Sequence, residues 1–286
     1  MNQQMTMGDS INEIILALNE FEPIVLYLSI AISVIFLFKW YGRILFSWPM
    51  SRGKLAKIVL SLLPAAAFLI IFPTLKTLAS HDVVNDPYYL TLYTALGFAW
   101  LALGVFIMNV FFGFSWLDDI LNINNKAALI AFTGGYLGLT VIYAASNVGD
   151  GPGWGCVIFT VALGLALWLA FALIQNHFSQ VFERITIERD AACAVRFGSF
   201  LLANAIILSR DLAGEWLSVS MTLADFIPTF IAIGAEMLFI GFGKVRKEKL
   251  TAAHYASGGI ESNVFLSIIW AIILIAGAVG TVIILK

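Results

Sequence analysis

Eight apolar stretches, each about as long as a lipid bilayer is thick, determine what this chain can fold into. They run approximately over residues 23–46, 58–79, 88–113, 127–146, 154–174, 191–209, 223–242 and 264–285. A hydrocarbon core about 30 Å thick needs about 20 residues of helix, and a helix satisfies its own backbone hydrogen bonds in lipid. The 60% of hydrophobic and 12% of charged residues exclude a water-soluble globular domain. The sequence therefore predicts an all-α polytopic membrane protein with about eight transmembrane helices.

Basic residues in the connections predict how these helices are oriented. Lys and Arg remain preferentially in short cytoplasmic loops. One alternating set of loops contains most of them, whereas the opposite set contains little beyond Lys76, Arg210 and Lys286. The basic residues of this first set of loops are Arg52, Lys54, Lys57, Lys126, Arg184, Arg189, Lys244, Arg246, Lys247 and Lys249. We expect this set in the cytoplasm, so that after eight crossings both termini are extracytoplasmic.

The N-terminal segment, residues 1–22, contains acids but no Lys or Arg, which agrees with an extracytoplasmic position. It also lacks the basic start and the cleavage site of a signal peptide, so we expect the first apolar stretch to be retained. Ile11, Ile14, Ile15 and Leu18 recur at helical spacing, which indicates a short amphipathic helix on the outer interface. A frayed tail fits these residues equally well.

A shift of 64 residues aligns the middle of the chain with itself. It places Phe114 on Phe178, Ala127-Ala128 on Ala191-Ala192, and Gly134 on Gly198. Two polar elbows, residues 118–128 and 182–192, then share an amphipathic run, a polar triplet and an Ala-Ala pair. We interpret this as a parallel repeat of two helical hairpins, unit A (88–152) and unit B (153–216). The first hairpin (23–87) and the last (217–286) are either divergent copies or unrelated additions.

The elbow of unit A carries a resemblance to a known family. Its sequence Asn124-Asn125-Lys126-Ala127-Ala128, followed by Gly134, Gly135 and Gly138, resembles the bacterial YjfL-like membrane proteins (DUF350). Those proteins consist of tandem two-helix units with an Ile-x-x-Gly-Asn-x-Ala-Ala type of elbow, and the resemblance covers roughly residues 90–216. It implies a protein of the bacterial inner membrane with a channel-like function or a role in envelope stress.

Ionisable residues inside the predicted spans are the best pointers to function, because their insertion costs a few kcal/mol unless they meet a partner or water. Arg196 in the sixth span and Glu236 in the seventh are predicted at a similar depth, where they could form an ion pair. Such a pair would either fasten two helices or form a charged gate, with Asn109 as a neutral contributor. Alternatively, Arg196 extends to the interface.

The returning span of each unit contains small and polar residues. Gly134, Gly135 and Gly138 in unit A and Gly198 in unit B are expected to allow close helix packing. The alternative is a pore lining, to which Asn204 would contribute in unit B.

A group of acids is predicted on the outer connections. Asp150, Asp211 and Asp225, together with Asn147 and Glu215, follow or precede four different spans. Several carboxylates could concentrate cations before a pathway, because their fields add. Ordinary solvated turns would give the same pattern.

The remaining sequence features mainly exclude function classes. A formal charge of -2 argues against nucleic acid as a partner, and the two cysteines and three histidines form no metal-binding or catalytic motif. We therefore expect no metal, no cofactor and no enzymatic activity. The favoured function is a channel or transporter for ions or small solutes, either as one chain or as a homo-oligomer. The alternative is a membrane scaffold that recruits cytoplasmic proteins through its basic loops.

Overall fold

The computed structural model describes residues 19–47, 53–151, 153–215, 226, 229–231, 233–234 and 260–284. In this part of the chain the helices are α1 (Glu22–Leu45), α2 (Lys54–Thr77), α3 (His81–Asn85), α4 (Pro87–Phe112), α5 (Lys126–Ala145), α6 (Trp154–Ser179), α7 (Val181–Thr186), α8 (Ala191–Leu212) and α9 (Ile260–Ile284). A π-helical segment, Trp116–Asn122, lies between α4 and α5.

Seven of these helices are long and apolar enough to cross a membrane, counted over the described residues. They are α1, α2, α4, α5, α6, α8 and the 264–283 part of α9. The prediction of an all-α polytopic membrane protein is confirmed. The predicted span 223–242 lies mostly outside the described residues, as do the amphipathic helix predicted in 1–22 and the basic loop 244–249.

Helices α5 and α8, the returning spans of the two predicted hairpin units, form the centre of the described structure and share its most extensive helix–helix interface. Within their most apolar windows, 78% and 72% of the residues are buried, against 22% for α1 and 17% for α9. The surfaces of α1 and α9 therefore consist largely of exposed Ile, Leu and Phe, as a lipid-facing surface requires.

Glycines set the distance between α5 and α8. A methyl group built on Gly134 would lie 2.6 Å from the carbonyl carbon of Gly198, and one built on Gly138 would lie 2.9 Å from the carbonyl oxygen of Leu201. A methyl group built on Gly198 would in turn lie 3.0 Å from the Ile130 carbonyl oxygen. Gly135 points elsewhere, toward the Met108 sulfur of α4. Without a β-carbon at these positions, the two backbones can approach each other directly.

The two elbows end in the same way. Each has a residue with positive φ, Asn124 (58°) and Arg189 (55°), followed by a residue whose side chain caps the next helix. The caps are Asn125, which accepts from the Ala128 amide at 3.1 Å, and Asp190, which accepts from the Cys193 amide at 3.0 Å. These equivalent positions are 65 residues apart, one more than the offset that aligns the sequences.

Polar contacts also join the elbows to each other. The Asn125 side chain donates from Nδ2 to the Ile185 carbonyl oxygen at 2.9 Å and to that of Thr186 at 3.3 Å. Within the second elbow, Arg184 forms a 2.7 Å ion pair with Asp190, and both side chains are largely buried. The elbow end of the molecule is therefore held together by side-chain hydrogen bonds as well as by packing.

Candidate functional site

A cavity of about 820 Å³ opens at the end of the bundle opposite the elbows. Its walls come from the first turn of α1, the residues around α3, the connection 146–153 and residues 211–215 at the end of α8. Connections that are far apart in the sequence thus contribute to one depression.

Backbone hydrogen bonds hold these connections together. The Gly149 amide donates to the Leu78 carbonyl oxygen at 3.1 Å, and the Gly214 amide donates to the Val148 carbonyl oxygen at 2.9 Å. Gly149 has a φ of +100°, and a methyl group on it would overlap with the Gly214 carbonyl group. A larger residue at position 149 would be strained in its own backbone and would separate the two connections.

Carboxylates dominate the charge of this cavity. Its lining contains Glu22, Asp82, Asp150, Asp211 and Glu215 but no Lys, Arg or His from the described part of the chain. Asp82, Asp150 and Glu215 are exposed, so their charges remain hydrated and available to the cavity. Asp211 differs from them, because its side chain is only 1% exposed and accepts a 2.7 Å bond from Arg210. We define the acidic vestibule as the cavity bounded by these five carboxylates.

The vestibule continues between the helices below the carboxylates. Its deeper lining includes Tyr93 of α4 and Cys156, Val157 and Thr160 of α6. Thr160 lies six residues past the start of α6 at Trp154, or about 9 Å along the helix axis. The Thr160 hydroxyl bonds to carbonyl oxygens of its own helix, so the floor offers few free polar groups.

Asn204 of α8 is fully buried and does not line the vestibule. Neither its Oδ1 nor its Nδ2 has a hydrogen-bond partner among the described residues. It precedes Asp211 by seven residues on α8, which places both residues on similar faces of the helix, about 10 Å apart along the axis. An unsatisfied buried polar group costs about 1–3 kcal/mol, so Asn204 is a position at which a buried water molecule would find a partner.

Aromatic side chains close the elbow end. Phe112, Phe114, Trp168, Phe182 and Phe197 form a continuous cluster, in which the rings of Phe112 and Phe182 are 4.8 Å apart. The Trp168 indole nitrogen donates to the Leu201 carbonyl oxygen at 2.9 Å and thereby ties α6 to α8. The vestibule and the elbow end are therefore separated by packed apolar side chains.

The residues predicted to form a gate do not share one environment. Arg196 is half-buried near the elbow end of α8, where it interacts electrostatically with Arg184 and Asp190, and it forms no ion pair with a described residue. Asn109 is exposed on the outside of α4, far from the vestibule. Glu236 and Asp225 lie outside the described residues, so the Arg196–Glu236 pair stays a prediction.

The group predicted on the outer connections contained Asn147, Asp150, Asp211 and Glu215, and the structure places all four around the vestibule. The predicted group did not include Glu22 or Asp82. Both belong to the end of the molecule that carries few Lys and Arg residues, so a count of every acid on that side would have included them. Among the described residues, no group of three or more His, Cys, Asp or Glu could hold a metal ion.

Comparison with protein family models, with curated proteins and with solved structures gives no match for this chain.

Proposed function

We propose that the protein moves small cations across the membrane and that the acidic vestibule is their extracytoplasmic entrance. The observation that supports this most strongly is the charge of the vestibule: carboxylates from several connections line it, and the described lining contains no basic residue. Fields from charges around a concave, low-dielectric surface add, so cations are enriched there and anions are depleted.

The position of Asn204 supports a route that continues inward. A fully buried amide without partners is unfavourable in a purely structural core, and it offers both a donor and an acceptor to a hydrated solute. The aromatic cluster at the elbow end then corresponds to a closed inner gate. Passage would require this cluster to separate, or a path between protomers.

Ion flux into proteoliposomes tests the proposal. We expect the purified protein to admit Na⁺ or K⁺ in preference to Cl⁻. Replacing Asp82 and Asp150 with Asn and Glu215 with Gln should lower the cation flux about tenfold at low ionic strength, because three charges leave the vestibule. The difference should shrink at high salt, since the screening length falls from about 30 Å at 0.01 M to about 3 Å at 1 M.

A matched control is Glu188→Gln, which removes an exposed carboxylate at the elbow end and should leave the flux unchanged. Equal loss in both variants, or a flux that does not depend on salt, would contradict the role of the vestibule. A reconstituted protein that passes neither cations nor anions under varied voltage and pH would contradict transport itself and favour the scaffold.

A further inference from the structure

A second cavity, of about 470 Å³, lies on the lipid-facing side at the elbow end. It is a groove between the last two turns of α1 and the π-helical segment. We define the basic groove by its lining residues, Phe38, Lys39, Gly42, Arg43, Phe46, Ser47, Leu117 and Asn122. It is remote from the acidic vestibule, and the proposed transport function does not use it.

Two cations line this groove without a protein counter-ion. Lys39 and Arg43 are four residues apart on α1, which places them on the same face of the helix. Both are exposed, and neither forms an ion pair or a side-chain hydrogen bond with any described residue. The two acids of the adjoining segment are outside the lining: Asp118 accepts a hydrogen bond from Asn122 at 3.2 Å, and Asp119 accepts one from the Ser115 amide at 2.9 Å.

The depth of Lys39 brings its ammonium group to the headgroup layer beside Arg43. Lys39 lies six residues before the end of α1, or about 9 Å inside it, and the surrounding α1 surface is apolar. An ammonium group exposed to hydrocarbon at this depth is costly, so its side chain must extend toward the headgroup layer. Arg43, about 6 Å further along, already lies at that layer and can bind a phosphate through two parallel hydrogen bonds.

The rest of the groove suits a lipid rather than a free ion. Phe38, on the membrane side of Lys39, is 80% exposed, which is favourable against acyl chains, and Phe46, beyond Arg43, is 88% exposed at the headgroup end of the groove. A methyl group on Gly42, between the two cations, would contact nothing within 4 Å. The floor of the groove is therefore open at the point where a headgroup would sit.

We propose that the basic groove binds an anionic phospholipid, with its phosphate between Lys39 and Arg43 and its acyl chains along Phe38. This places a binding site for anionic lipid in the membrane leaflet on the elbow side.

Lipid titration of the full-length protein in detergent, followed by native mass spectrometry, tests the assignment. Phosphatidylglycerol should bind more tightly than phosphatidylcholine. The double variant Lys39→Gln, Arg43→Gln should bind phosphatidylglycerol roughly 30-fold more weakly, as expected for the loss of two charges at a membrane surface. Lys54→Gln is the matched control, because Lys54 is exposed at the same end but does not line the groove; its affinity should be unchanged.

A second variant and a competitor keep the test decisive even if the double variant does not fold. Gly42→Leu fills the groove without altering its charge, and we expect it to weaken phosphatidylglycerol binding several-fold while the far-UV circular dichroism stays the same. Inorganic phosphate at millimolar concentration should not displace the lipid. Equal binding of both lipids, unchanged affinity in Gly42→Leu, or displacement by inorganic phosphate would overturn the proposal.

Discussion

Gly134→Ala is expected to destabilise the protein by about 1–3 kcal/mol or to prevent its folding, because the added methyl group overlaps with backbone. The new β-carbon would lie 2.6 Å and 2.7 Å from the carbonyl carbon and the α-carbon of Gly198. A flexible side chain could rotate away from such a contact, whereas a helix backbone can only move as a whole. The α5–α8 interface would then separate at the centre of the bundle. The thermal unfolding midpoint in detergent, followed by circular dichroism, measures the effect.

The matched control is Gly277→Ala in α9. This glycine is also inside a membrane-spanning helix, but a methyl group on it would contact nothing within 4 Å. We expect no loss of stability, or a gain of about 0.5–1 kcal/mol, because alanine favours the helix. A midpoint for Gly134→Ala equal to that of the wild type and of Gly277→Ala would show that α5 and α8 do not approach each other at this glycine.

Asn125→Asp is expected to produce the second large effect, a destabilisation of about 2–4 kcal/mol at neutral pH. The aspartate keeps an oxygen to cap α5, but it loses the donor that reaches the Ile185 and Thr186 carbonyl oxygens at 2.9 and 3.3 Å. A carboxylate then faces two carbonyl groups at a position that is only 2% exposed. Urea unfolding in mild detergent, with far-UV circular dichroism as the signal, measures the loss.

The pH dependence of this variant separates charge repulsion from a simple loss of packing. Carbonyl oxygens nearby favour the neutral acid, so the folded-state pKa of the introduced carboxyl is raised above its unfolded value. The destabilisation is therefore complete above the folded-state pKa and decreases as the pH falls through it, because a protonated carboxyl can donate to a carbonyl oxygen. Asn176→Asp is the matched control: the Asn176 side-chain oxygen accepts from the Phe182 amide at 3.0 Å and can still do so as aspartate, while its Nδ2 donates to no described residue, so this variant should cost less. A loss for Asn125→Asp that is the same at acidic and neutral pH would contradict this explanation.

The helices themselves could be predicted because hydropathy is a local property. The predicted stretch 127–146 differs from α5 by one residue at each end, since Asn125 supplies the cap and Lys126 begins the helix. Stretch 154–174 was too short, because α6 continues through the polar residues Gln175, Asn176 and His177 to Ser179. Polar residues in a last helical turn still form backbone hydrogen bonds, and an apolar window cannot detect them.

The repeat offset shows where pattern matching and geometry differ. Aligning Ala127-Ala128 with Ala191-Ala192 gives 64 residues, whereas the caps Asn125 and Asp190 are 65 apart. Similar side chains follow each cap, but the helix start is fixed by the hydrogen bond that the cap side chain accepts from the amide three residues later. Sequence identity alone does not show where this hydrogen bond forms.

The candidate site was predictable in outline and not in detail. Alternation of the connections was enough to expect Asp150, Asp211 and Glu215 at one end of the bundle. The neutralisation of Asp211 by Arg210 depends on the rotamers of adjacent side chains, and the contribution of Asp82 depends on how α3 folds over the vestibule.

The sequence by itself determined that the chain crosses a membrane, where most of its spans lie and which connections are acidic, because each follows from the transfer of nearby residues between water and lipid. The tertiary structure alone decided that Gly134 meets Gly198, that Asn204 is buried without partners and that Asn109 faces outward. Each of these depends on the rotation of one helix against another. That rotation is set by contacts between residues far apart in the chain, and among apolar helices in lipid no hydrophobic periodicity marks which face turns inward.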